Sequence, residues 1–313
     1  MLTLSAVVPA TDAPATLGRC RAALAASTRG PDEVIVVDGP AELSAPAARN
    51  TGAGRATGDV LVFVDADVEV HGDALARIRD AFEDDPGLTA VFGSYDDTPS
   101  APGQVSVFRN LLHHHVHHAG AGPAETFWTG LGAIRRDVFA EIGGFDDARY
   151  RHASIEDIEL GDRLRRRGHR IVLDPAIQGT HLKVWTLRSM VWTDFARRGV
   201  PWVALQVRNR RLSAALNLGW RHRASALACV VALAAVVRRR PGPAAIAVSA
   251  FLALNQAFYR GLWRRGGGTG AAIGVALHGL HHLVGVAAVP AGVLEAVARP
   301  AASSVPPAAR VAR

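Results

Sequence analysis

VLVFVDADVEV, residues 60–70, is an apolar run that stops on two carboxylates, Asp65 and Asp67, with one small residue between them. Five consecutive apolar residues mark a strand covered on both faces. In an extended chain Asp65 and Asp67 project to the same side, where their charges repel unless a cation lies between them. A divalent metal is the simplest such cation. The competing reading is an ordinary Asp-x-Asp turn closing a strand.

Outward from this run, LSAVVPA and EVIVVDG are rich in β-branched residues and end in turn formers, and LTAVFGS repeats the pattern later. A helix is expected between the first two, from about Pro14, a residue suited to a first helical position, to Ser27. Such alternation is the signature of βαβ units, hence of a parallel sheet whose ligands bind at the carboxyl ends of the strands. Pro9, Asp38, Asp65 and Asp67 all lie at such ends. Residues 151–174 read as a helix and then a strand. Ser154 is the expected N-cap, Asp157 completes an S-x-x-D capping box, and Gly168 ends the helix. Glu156 and Asp157 therefore belong to its first turn.

The chain has 313 residues, a net charge of +7 and 49% hydrophobic residues, enough for a sizeable core. The charge is uneven. From Lys183 onward only Asp194 and Glu295 are acidic, against 18 Lys and Arg. Basic residues interleaved with apolar stretches suit an anionic membrane surface, whereas a nucleic-acid partner would call for stacking aromatics or a reader motif that the sequence lacks. Cys20 and Cys229 lie in regions of different character, so no disulfide is expected and a reducing compartment fits. The N-terminus MLTLSAVVPA has no basic n-region, which places the first half in the cytoplasm.

After about residue 211 the composition turns apolar. Residues 224–237 form about 21 Å of helix, short of the roughly 30 Å hydrocarbon core. Residues 241–259 are nearly long enough to span it, and residues 270–298 are long enough, although His278, His281, His282 and Pro290 interrupt them. Two or three membrane-embedded helices are expected at the cell membrane, with a topology that the flanking arginines leave open. The expected organisation is a catalytic domain over 1–210, membrane-associated helices over 211–299 and a disordered tail over 300–313.

SAVVPA, EVIVVDG, AARNTGAGRATGDVLVFVDAD, FWTGLGAIRRDVFAEIGGFDD and SIEDIELGDRLRRRGHRI, in this order, resemble a family 2 glycosyltransferase with the GT-A fold, over about residues 3–202. The resemblance implies an α/β, Rossmann-like, mostly parallel sheet with helices on both faces. It also implies transfer of a sugar from a nucleotide diphosphate sugar with inversion, using Mn²⁺ or Mg²⁺. By that likeness Asp67 ligates the metal, Asp65 contributes to the metal site or faces the ribose, and His181 is a further ligand, an imidazole suiting Mn²⁺ better. Asp38, with Pro9 and Asp12 after the first strand, borders the nucleotide. Arg49 and Asn50 match the step that lines its pocket, and Trp128 and Gly130 match the sugar-binding segment. Asp157 is the implied base that takes the proton of the acceptor hydroxyl, with Glu156 orienting it or touching the acceptor.

Each role has a plainer rival: helix capping for Asp157, a turn for Asp38, core packing for Trp128. The HHHVHH run, residues 113–118, pairs His113 with His117 and His114 with His118 on one helix face. It lacks the HExxH pattern of a zinc site, so an interfacial or acceptor-side helix is expected. RRGVPW, ending at Trp202, lacks the glutamine of the processive QxxRW motif, which points to addition of one sugar, with a lipid-linked or glycan acceptor at the membrane. The alternatives are an inactive relative serving as a binding or scaffold subunit and a nucleotidyltransferase on a similar sheet. The latter would want a Gly-rich basic loop after the first strand, for which PATDAPATLGRC is a poor candidate.

Overall fold

The structure, a computed structural model, describes residues 2–211, 216 and 219–298. The expected tail over 300–313 lies outside the described residues. Two compact units depart from the expected cut at residue 210: one comprises residues 1–100 and 117–183, the other 101–116 and 184–301. The break falls inside a helix whose early turns carry Phe108, Leu111 and Leu112, apolar side chains that cluster with Met190, Phe258, Leu262 and Leu277 of the second unit. Burial of that face, which is not local in sequence, sets the grouping.

The first unit is built on a sheet of β1 (Leu4–Pro9), β2 (Glu33–Val37), β3 (Val60–Val64), β4 (Val68–Val70), β5 (Ala90–Tyr95), β6 (Gly122–Pro123), β7 (Leu131–Arg135) and β8 (Ile171–His181). Their order is β2-β1-β3-β7-β5-β8-β4, with β6 paired to β8. β1 runs parallel to β2 and β3, and β5 parallel to β8, while β7 is antiparallel to both β3 and β5. It follows that β1, β2, β3, β5 and β8 share one direction and that β4, β6 and β7 oppose it. The shared direction brings Pro9, Asp65, Tyr95 and His181 to carboxyl ends of strands, where open α/β sheets bind ligands. β3 is buried along its whole length, as its apolar run requires, whereas β2 pairs only with β1 and is partly exposed.

The helices of this unit are α1 (Leu17–Ala25), α2 (Ala45–Arg55), α3 (Ala74–Asp84), the end of α4 (Gln104–Ala119), α5 (Arg136–Glu141) and α6 (Glu156–Arg166). α1 is shorter than expected: a turn in which the Leu17 amide donates to the Pro14 carbonyl precedes it, and Ala13 takes φ 47°. Proline preorganises that turn here rather than a first helical position. The Ser44 hydroxyl caps α2, accepting from the Ala47 amide at 3.3 Å. Gly52 lets α2 close on β1, since a Cβ there would lie 2.4 Å from Val7 Cγ1.

In the second unit, beside the first turns of α4, lie α7 (Leu187–Trp192), a π-helix (Thr193–Gly199), α8 (Val200–Asn209), α9 (Trp220–Val237), α10 (Pro241–Leu254) and α11 (Gln256–Ala298). The expected 241–259 segment is cut at Asn255, which turns its side-chain amide onto the Ser225 hydroxyl and the Phe251 carbonyl. α11 is broken at Gly267, whose φ of 59° and ψ of −162° no ordinary helical residue adopts. α9 and α11 are long and apolar enough to cross a membrane. Asp194 of the π-helix is buried between Arg109 (2.8 Å) and His281 (2.8 Å), so that unit holds this buried carboxylate against a guanidinium and an imidazole.

Candidate active site

The two carboxylates of the opening stretch sit in a turn rather than on an extended strand. β3 stops at Val64, the Val68 amide donates to the Asp65 carbonyl at 2.9 Å, and the chain returns as β4. Strand alternation therefore does not aim Asp65 and Asp67; the turn does, and it sends them to different partners. Asp67 Oδ2 faces His181 Nε2 at 3.7 Å. Burial opposes the charge on Asp67, but His181 and then Lys183 outweigh it and hold its carboxyl below the ordinary carboxylate value. His181 reaches this place because β4 pairs with β8 in the register Val68↔His181, and the Leu182 amide donates to the Asp67 carbonyl at 2.8 Å.

Asp65 belongs to a different group. Its Oδ1 accepts from Arg49 Nη2 at 2.6 Å, while Arg49 Nη1 donates to Glu156 Oε1 at 2.8 Å. Arg49 and Glu156 are each only 4% exposed at the side chain. Burial disfavours the guanidinium charge, yet Asp65 and Glu156 raise its pKa above the already high arginine value. One buried cation thus ties the first carboxylate of DAD to the first carboxylate of the ED pair. The expected trio of Asp65, Asp67 and His181 is accordingly not gathered, and among the described residues no three His, Cys, Asp or Glu side chains meet as a metal-binding group. Asp67 and His181 form a pair of one hard oxygen and one imidazole nitrogen. That donor set would suit a divalent cation such as Mn²⁺.

The start of α6 also differs from expectation. Its N-cap is Ile155 instead of Ser154, with no side-chain cap bond from that residue, and the carboxylate that reaches back to the Ser154 amide is Glu156, at 2.7 Å. Asp157 Oδ2 accepts from the Thr129 amide at 3.3 Å and lies 3.4 Å from the Thr129 hydroxyl, and its Oδ1 accepts from the Ile158 amide at 2.8 Å. Asp157 is half-buried, and Gly168 ends the helix region with φ 84°, as expected. Gly161 brings α6 onto the segment before Thr129: a Cβ there would lie 2.4 Å from the Phe127 nitrogen.

One short segment joins the two carboxylate motifs. The Asp65 amide donates to the Gly130 carbonyl at 3.2 Å, one residue from the Thr129 amide that holds Asp157. Gly130 has no room for a side chain, since a Cβ would lie 2.2 Å from Trp128 Cζ2. Trp128 itself is 8% exposed, edge-on to Tyr95 (centroids 4.9 Å) and to His117 (5.2 Å), so the core-packing reading describes its position. His117, alone of its run in this unit besides His118, is buried with Nδ1 2.9 Å from the Gly93 carbonyl. His117 packs as an interior residue, while an interfacial or acceptor-side helix was the expectation for the run as a whole.

The remaining expected residues are dispersed around this centre. Pro9 ends β1, and Asp12 and Asp38 are exposed in the loops after β1 and β2. Asn50 is committed to the 145–147 loop: its Nδ2 donates to the Phe145 carbonyl (2.9 Å) and Asp147 (3.2 Å), and its Oδ1 accepts the Phe145 amide (2.9 Å). Sequence reasoning missed Thr129, although it lies inside FWTGLGA, and Tyr95, the residue after the LTAVFGS run. Neither hydroxyl residue stands out by spacing. It also missed Cys20, whose thiol lies 3.7 Å from the Asp65 carbonyl and is pushed up to about 12 by burial and then by Asp65 and Asp67.

Residues 40–143 match the family model described as glycosyl transferase family 2; Arg49, Asp65, Asp67, Tyr95 and Thr129 fall inside the match, Asp157 and His181 beyond it. No curated protein matches the chain. Among solved structures, it is similar to the mannosyltransferase PcManGT from Pyrobaculum calidifontis, in complex with GDP-Man and Mn²⁺, at 16% identity and TM-score 0.48, over 95% of this chain and 87% of that one. It is also similar to GalNAc-T7 with UDP, GalNAc and Mn²⁺, at 17% identity and TM-score 0.44, over 60% of this chain and 44% of that one. The family match lies across the strand end and the turn that carry Asp65 and Asp67, and over that stretch the chain is similar to family 2 glycosyltransferases.

Proposed function

We propose that the protein moves one sugar from a nucleotide diphosphate sugar to an acceptor hydroxyl, with inversion, in a metal-dependent and non-processive reaction at the cytoplasmic face of the cell membrane. The observation that carries this reading is the Thr129–Gly130 pair, which holds Asp157 through one amide and the Asp65 turn through the next carbonyl. A proton acceptor and a site for the departing diphosphate are thereby attached to one rigid segment. Asp157 takes the proton of the incoming hydroxyl, and the Thr129 bonds orient its carboxylate. Asp67 and His181 would hold Mn²⁺ or Mg²⁺, which supplies Lewis-acid stabilisation of the leaving diphosphate. Arg49 keeps Asp65 and Glu156 apart from that role, as positioning groups.

A membrane-surface, lipid-linked acceptor is favoured by the second unit. Its helices α9, α10 and α11 leave Leu227, Leu233, Val236, Ile246, Leu294 and Val297 exposed, and apolar surface of this extent requires a lipid or protein cover. The test is to incubate membranes containing the protein with a panel of nucleotide sugars and Mn²⁺ or Mg²⁺ and to follow release of the nucleoside diphosphate. Release that depends on metal and on a lipid fraction is expected. Turnover unaffected by chelation would overturn the metal role, and turnover unaffected by lipid removal would overturn the acceptor assignment.

A further inference from the structure

We infer that Tyr95 is a positioning residue for His181, fixing the plane of the imidazole so that Nε2 stays turned to Asp67 and a divalent cation; this rests on the reading of His181 as a metal ligand. The two rings are stacked, with centroids 4.1 Å apart and an interplanar angle of 9°. Both residues are nearly buried, at 8% and 7% exposure. A histidine has two free side-chain torsions, and an imidazole at a strand end with open space on one face would swing Nε2 away from its partner. Here Tyr95 occupies that face.

Tyr95 is in turn held from turning. Trp128 stands at 90° to its ring, and His117 stands at 86° to Trp128 with its Nδ1 on the Gly93 carbonyl. The Tyr95 backbone is set by the β5–β8 pairing, Tyr95↔Gly179, two residues before His181 on the partner strand. The Ser100 hydroxyl donates to the His181 carbonyl at 3.3 Å, which fixes the histidine backbone from the chain following β5. The row His181, Tyr95, Trp128, His117 is thus a chain of ring contacts, stacked at its first step and edge-on at the next two, and its first member faces Asp67. Partners that orient a metal ligand typically alter metal affinity by roughly 10–100-fold when removed.

The experiment titrates the full-length protein in detergent with Mn²⁺ alone, reading free Mn²⁺ by EPR and the ¹⁴N modulation of bound Mn²⁺ by electron spin echo. Wild type should show an imidazole ¹⁴N signal, and Tyr95→Phe, which keeps the ring, should preserve signal and affinity. Tyr95→Leu and Tyr95→Met, which remove the flat face, should weaken Mn²⁺ binding roughly tenfold and lose the ¹⁴N signal, with circular dichroism unchanged. His181→Ala separates the two ideas. If it leaves affinity and ¹⁴N signal intact, the metal reading itself falls and the inference with it. If His181→Ala loses both while Tyr95→Leu and Tyr95→Met keep both, the metal reading stands and the positioning role is overturned.

Discussion

The turn after β3 and the first turn of α6 each carry two carboxylates, and in each the two acids have opposite fates. Asp65 and Glu156 are anchored on the same buried guanidinium, Arg49. Asp67 meets the His181 imidazole, while Asp157 accepts from the Thr129 amide and adds to the negative field around Arg49. An acid held in a tight ion pair is a poor ligand and a poor base, because its lone pairs are taken. The comparison teaches that Arg49 anchors one acid of each motif at once; under the proposed function the other acid of each pair is the one that reacts.

The largest effect should follow from losing the acid of α6 proposed to act as base. Asp157→Asn is expected to lower kcat at least about 100-fold while donor binding measured by calorimetry survives. Wild-type turnover in that variant would break the comparison at once. Next comes Asp67→Ala, for which metal-dependent donor binding should weaken by roughly tenfold or more, with little change in metal-free donor binding. Asp65→Asn should weaken it less, since Asp65 is engaged by Arg49; equal losses in the two variants would erase the distinction between anchored and reacting acids.

Removing the anchor tests the other half. Arg49→Met leaves Glu156 buried without its cation and should destabilise the fold by about 3 kcal/mol, read as a fall in the denaturation midpoint, and Arg49→Lys should recover only part of it. A smaller loss, about 1–3 kcal/mol, is expected for Gly161→Ala, whose methyl would press α6 away from Phe127 and shift Asp157 from Thr129. The smallest effect comes from a carboxylate with a purely structural post. Glu33 is held down to about 2 by the Ser5 hydroxyl and then the Thr57 amide. Its folded-state pKa is depressed, so its contribution is present above about pH 4.5 and is lost as pH falls towards 2. Glu33→Gln should flatten the loss of thermal stability between pH 5 and pH 3 by less than about 1 kcal/mol without changing kcat.

Much of this was legible in the residues. The apolar run of Val60–Val64 can only be a strand covered on both faces, and its halt on acids marks a ligand-binding end; both follow from hydrophobicity and charge within a few residues. The βαβ alternation supplies the sheet, and the apolar lengths after residue 211 supply helices at the positions where α9 and α11 lie. The sequence could not show that Asp65 and Asp67 occupy a turn, because that depends on the Val68↔His181 pairing across more than a hundred residues. The N-cap of α6 at Ile155 was equally hidden, since the S-x-x-D pattern is a local signal and Glu156 answers to Arg49, 107 positions away.

Local patterns along the chain settle most of the elements and which side chains carry charge, because propensity and apolar periodicity act over short spans. Only the tertiary structure decided which acid of each pair is anchored, that Trp128 packs inside, that Thr129 grips Asp157, and that Tyr95 lies flat on His181. Those outcomes rest on strand register and on the close approaches permitted at Gly130 and Gly161, contacts between residues distant in the chain that no local pattern encodes.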